Sequence, residues 1–190
     1  MNFYDNMFKV RLPSTQVYQL HQQIDTLIQE GRQSKLAYSC HFEPIPNTEQ
    51  TLVQVRSAVA LKLPGEKEVI CNLKEGQNIA WQMNLCSLLS RGDKYHDCID
   101  EQEAIEKLIT PRLARAGFEL VRADLVQHQI MHGIKKKRGR AFFIPYWECA
   151  VEAVVRDVVE AEQAMVYGIG KKRIFGLGMF RVMKGLNDGL

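Results

Sequence analysis

At 190 residues, with 46% apolar and 25% charged residues, the chain can bury one substantial core or two small ones that lean on each other. A net charge of +3 does not by itself call for a nucleic-acid partner, so the distribution of charge has to decide. Five scattered cysteines without a C-x-x-C pair argue against a disulfide framework. Asp5, Lys9 and Arg11 sit where a signal peptide would be apolar, and no apolar run reaches the roughly 18–20 residues that span a bilayer, so the expected location is the cytoplasm, away from membranes.

Residues 2–11 alternate loosely and read as a first strand ending at Leu12-Pro13. Ser14 or Thr15 is placed to cap a helix running to Gly31, with Val17, Leu20, Ile24, Leu27 and Ile28 as its apolar stripe. Strand character follows at 35–44, 51–61, 68–73 and 79–88, separated by turn formers. The polar stretch 90–100 reads as a boundary, dividing the chain into halves at 1–90 and 91–190. Asp100 with Glu103 then makes a capping box for a helix carrying Ile105, Leu108 and Ile109. Pro111 either kinks that helix or starts a second one capped by Thr110. Strands are expected at 118–129 and 141–155. A second capping box, Asp157 with Glu160, opens a helix with Val158, Ala161 and Met165 on one face, and a last strand at 177–183 ends the order. This points to an α+β protein, each half an antiparallel sheet backed by helices.

Two basic segments stand out in the second half. At 168–178 the chain reads Gly168-Ile169-Gly170-Lys171-Lys172-Arg173-Ile174-Phe175-Gly176-Leu177-Gly178, four glycines around three consecutive cations. Glycine lets backbone bend tightly and be approached closely, and the cations favour an anionic chain. Neither a Walker loop nor a dinucleotide fingerprint fits its spacing and context. Between the strands at 118–129 and 141–155, Lys135, Lys136, Lys137, Arg138 and Arg140 make five cations in six residues. Such a hairpin would hold phosphates of folded RNA with little sequence preference.

The glycine segment before the last strand resembles that of the repeat-associated RNA-binding (RAMP) proteins, and the whole chain is similar to the CRISPR precursor-RNA endoribonucleases of the CasE type found in Cascade complexes. Tyr18-Gln19-Leu20-His21 lies where that type places a Tyr-x-x-His. Trp81-Gln82-Met83-Asn84, the helix before Ala116-Gly117-Phe118, and the aromatic-rich strand at 142–147 follow in the same order. The resemblance implies two ferredoxin-like (RRM-like) halves, the first carrying the Tyr/His helix and the second the basic hairpin and glycine loop. It implies cleavage within the repeat without metal or cofactor, and partners in the repeat RNA hairpin and the other subunits of a Cascade-like effector complex. Tyr18 and His21 would be catalytic. RNA would be held by Lys135, Lys136, Lys137, Arg138, Arg140, Gly168, Gly170, Lys171, Lys172 and Arg173.

The residue types suit that chemistry. A 2′-hydroxyl can attack its own 3′-phosphate if the protein supplies a base, an acid and a positive environment, and histidine titrates near neutrality. Three apart on a helix, Tyr18 and His21 can reach one phosphate. Where relatives place a lysine after the histidine, Gln22, Gln23 and Asp25 follow here, so a supporting cation is expected from Arg11 or the loop lysines. Two other readings remain: a non-catalytic RNA-binding subunit on the same fold, and a single-strand RNA module. Arg138-Gly139-Arg140-Ala141-Phe142-Phe143 partly matches the aromatic motif of the latter. His128 and His132 lack a third metal ligand nearby.

Overall fold

The computed structural model describes residues 1–63, 65–135 and 140–182. Two four-stranded antiparallel sheets organise them. The first contains β1 (Asn2–Val10), β2 (Tyr38–Pro44), β3 (Thr51–Ser57) and β4 (Lys67–Ile70), in the order β2-β3-β1-β4. Helix α1 (Val17–Gln29) covers it with Val17, Leu20, Ile24 and Ile28 buried, the stripe read from the sequence apart from exposed Leu27. The cap differs from expectation. Gln16, not Ser14 or Thr15, holds the N-cap position and makes no side-chain capping bond, so packing of the stripe fixes this helix start.

The second sheet joins β5 (Asn78–Cys86), β8 (Phe118–Lys135), β9 (Arg140–Val155) and β10 (Arg181–Val182), in the order β10-β5-β9-β8. Between β5 and β8 come a short hairpin, β6 (Leu88–Arg91) with β7 (Lys94–Asp97), and a helical run. That run consists of α2 (Glu101–Glu103), a wide π turn (Ala104–Ile109) and α3 (Thr110–Arg115). Helix α4 (Val158–Tyr167) follows β9. Strand, helix, strand, strand, helix, strand in this spatial order is the ferredoxin-like arrangement. The first sheet repeats the order with α1 alone, because no helix lies among the described residues between β3 and β4.

Three expectations are corrected here. The division between sheets falls between Ile70 and Asn78 rather than at residue 90, because β5 pairs with β9 from Asn78↔Val154 to Cys86↔Tyr146. The polar stretch taken as a boundary is the β6–β7 hairpin, with Ser90 opposite Tyr95. The last strand begins at Arg181 rather than at 177, and a 3-10 turn (Arg173–Phe175) precedes it. Both aspartates cap their helices as expected, Asp100 accepting from the Glu103 amide at 2.8 Å and Asp157 from that of Glu160 at 3.1 Å. Pro111, which has no N–H to donate, is accommodated by the π turn before it, where Thr110 bonds the Ile105 carbonyl through its backbone amide and its Oγ1.

The halves are sewn together. Arg56 is buried, bonds Asp5 through Nε at 2.7 Å and Nη2 at 2.9 Å, and donates from Nη1 to the carbonyls of Met165 and Phe180 in the second half. Phe175 and Leu177 of the glycine loop sit in the core formed by α1, β2 and β3. Among the described residues, no helix is long and apolar enough to cross a membrane.

Candidate nucleic-acid interface

The glycine loop is folded against its own backbone. The Ile169 amide donates to the Gly178 carbonyl at 2.9 Å, and the Gly178 amide to that of Asn84 at 2.6 Å. A Cβ at Gly178 would fall on the Ile169 carbonyl, and one at buried Gly168 would lie 2.6 Å from the Gly178 oxygen. The close approach these glycines allow is therefore made by the loop itself. Gly170 packs its bare Cα against Leu85 and Arg112. With the backbone so committed, the cations form the outward surface. Lys172 is exposed in a left-handed conformation at φ 63°, Arg173 donates to the carbonyls of Tyr167 and Gly168, and Lys171 donates to Ser90 Oγ at 2.7 Å.

Tyr18 and His21 are both half-buried on α1 and are joined to the loop by a chain of rings. Tyr18 meets Phe142 edge-on with centroids 6.3 Å apart, Phe142 lies 5.4 Å from Phe175, and Phe175 lies 5.5 Å from His21. The sequence reading placed Phe142 in an aromatic strand and Phe175 in the glycine loop, and gave neither a role at the site. A signal for Phe142 existed. Gly133 stands opposite it across β8 and β9, and a Cβ there would overlap the Phe142 ring, so an isolated strand glycine marked a neighbouring aromatic.

Burial is the main influence on His21 and pulls its pKa below the ordinary imidazole value; Asp25, one turn on, opposes this, and the charge of Lys35 reinforces it. Lys35 is therefore a cation that acts on His21, and sequence reasoning, which looked to Arg11 and the loop, missed it. Asp25 is held in turn by the Tyr38 hydroxyl at 3.3 Å. Nδ1 of His21 is buried with no hydrogen-bond partner among the described residues.

Of the basic hairpin, Lys135 and Arg140 pair at the ends of β8 and β9, whereas Lys136, Lys137 and Arg138 lie outside the described residues. A cleft of about 610 Å³ opens between β2 and the second sheet, lined in part by His41, Glu43, Asn84, Glu148 and Arg181. Its two carboxylates make it a poor path for phosphodiester. His128 is engaged with Asp97 at 3.1 Å, and no cluster of three metal-ligating side chains occurs among the described residues.

The fold defines a two-unit ferredoxin-like α+β protein with a basic glycine loop between its units. No protein-family model matches the chain, and no curated protein matches it. Among solved structures, Thermus thermophilus Cse3 bound to an RNA representing a pre-cleavage complex is similar over 96% of this chain and 98% of its own, with a TM-score of 0.76 and 15% identity. The CRISPR-associated protein Cas6e from Escherichia coli K-12 is similar over 96% of this chain and 100% of its own, with a TM-score of 0.72 and 17% identity. A chain of a CRISPR RNA-guided surveillance complex is similar over 95% of this chain and 100% of its own, with a TM-score of 0.67 and 17% identity. The chain thus has the fold of the CRISPR endoribonuclease Cse3.

Proposed function

We propose that the protein is a metal-independent endoribonuclease that cuts CRISPR precursor RNA within the repeat and stays on the repeat hairpin as a subunit of an effector complex. The observation that carries this reading is the ring contact that sets His21 of the first helix against Phe175 of the basic glycine loop. It puts a titratable group beside the loop that carries Lys171, Lys172 and Arg173. The likeness of fold to RNA-bound Cse3 and to a chain of a surveillance complex supports the RNA substrate and the assembly.

In this reading the loop cations hold the RNA backbone and the scissile phosphate lies over Tyr18 and His21. The 2′-hydroxyl oxygen attacks the adjacent phosphorus and gives its proton to a base; the bond to the 5′-oxygen breaks and that oxygen takes up a proton. The products are a cyclic 2′,3′-phosphate and a 5′-hydroxyl. Burial keeps the His21 imidazole neutral at neutral pH, the form needed to accept a proton at Nε2. Tyr18 donates a hydrogen bond to a phosphate oxygen, and Lys35 adds positive charge against the dianionic transition state. Labelled repeat RNA incubated in EDTA gives one defined cut with the native protein and none with His21→Ala, which still binds the hairpin. A strict requirement for divalent metal would sink the mechanism. A binding-only subunit on the same fold is the competing reading, and it draws on the unpartnered Nδ1, since nothing described orients the ring by a hydrogen bond.

A further inference from the structure

The β6–β7 hairpin has no part in the proposed cutting reaction, yet it is tied down as a wing beside the glycine loop. Arg112 ties its base by donating to the carbonyls of Cys86 at 2.8 Å and Leu88 at 3.3 Å. On the other side, Asp97 accepts from Ser87 Oγ at 2.5 Å and meets His128 Nε2 at 3.1 Å. The outer part carries Tyr95, which is left 67% exposed. Lys171 reaches across from the loop, with its Nζ 4.7 Å from the ring centroid and bonded to Ser90. One face of the ring is thereby covered by a cation. The high exposure leaves the other face open.

Behind Lys171 lies an open cavity of about 460 Å³ lined by Arg112, Arg115, Lys171 and Arg173, with Glu160 as its one carboxylate. A positioned aromatic face beside clustered cations is the chemistry that takes a nucleotide, stacking its base and pairing its phosphate. Bases within a duplex are stacked on one another and not available to a side chain, so the nucleotide must be unpaired. We infer that Tyr95 and this basic cavity form a subsite for an unpaired RNA nucleotide, the base stacking on Tyr95 and the phosphate meeting Arg115, Lys171 and Arg173. The inference rests on the repeat-cutting reading for the identity of the RNA. Lys171 and Phe175 are four residues apart, at most ~14 Å between Cα atoms, so the subsite lies within a few nucleotides of the phosphate at His21.

The test measures binding of two RNAs, the repeat hairpin with its single-stranded flanks and the same hairpin trimmed to its stem and loop. Tyr95→Ala is expected to weaken binding of the flanked RNA about tenfold, within the range for loss of one base stack, and to weaken the trimmed RNA far less. Tyr95→Phe keeps native affinity, and Arg115→Ala lowers the salt slope on the flanked RNA by about 0.7. Equal losses on both RNAs, or none on the flanked RNA, would overturn the subsite while leaving the repeat-cutting reading in place. Native protein that binds neither RNA overturns both.

Discussion

Replacing His41 by glutamine gives a direct measure of how the seam between the two sheets responds to acid. His41 is only 7% exposed on β2. Burial, helped by the nearby charge of Arg181, pulls its pKa down from 6.5 to about 3, against a hydrogen bond with the Gly176 backbone that acts the other way. Because the folded value is the lower one, the unfolded chain takes up the proton first. Stability is therefore complete above pH 6.5 and is lost as the pH falls toward the folded value. Two units below the unfolded value, at about pH 4.5, the loss from this group is about 3 kcal/mol, a large part of the roughly 5–15 kcal/mol that holds a domain. Urea unfolding of the native protein and of His41→Gln, each at neutral pH and at about pH 4.5, isolates it, since the other titrating groups are common to both. The native protein should lose about 3 kcal/mol more than the variant on acidification. Equal losses would show that His41 is not buried as a neutral imidazole.

Other expectations follow from single contacts. Gly178→Ala combines φ 76° with a Cβ on the Ile169 carbonyl, whereas Gly92→Ala at φ 59° meets nothing within 4 Å. Thermal unfolding should show a loss of about 1 kcal/mol for Gly92→Ala and several times that for Gly178→Ala, and similar losses would contradict the folded-back loop. Arg56→Ala strands the Asp5 carboxylate and two carbonyls across the seam and should cost about 3–5 kcal/mol in urea unfolding; a loss under 1 kcal/mol would contradict that. In the pH–rate profile of cleavage, Lys35→Ala should move the acidic limb to higher pH and Asp25→Asn to lower pH, following the signs of their charges on His21. Shifts in the same direction would remove His21 as the titrating group.

Much of this was legible in the sequence where local chemistry decides the outcome. Asp100 and Asp157 cap their helices because a carboxylate three residues before a free amide needs no tertiary partner. The buried stripe of α1 likewise follows from spacing alone. Part of what escaped depends on long-range pairing. Nothing in the run 78–86 says that it pairs with β9, some seventy residues on, rather than with its neighbours. The β6–β7 hairpin is polar and pairs only with itself, so its strands lack the apolar alternation that announces a strand. Four glycines suggested a backbone that another chain could approach, but they serve a tight fold that buries Phe175 and Leu177. Tyr18 and His21 were picked out by resemblance; their ring contacts through Phe142 and Phe175 and the influence of Lys35 required the structure.

The central claim is that a metal-free site at His21 cuts RNA held by the loop beside it. The most direct measurement follows end-labelled CRISPR repeat RNA from the same genome, incubated in EDTA with native protein or with His21→Ala, alongside a substrate carrying a 2′-deoxy sugar at the cut. Native protein should release one defined fragment ending in a cyclic 2′,3′-phosphate, while His21→Ala and the deoxy substrate give none although the hairpin stays bound. Cutting of the deoxy substrate, or undiminished cutting by His21→Ala, would contradict the account.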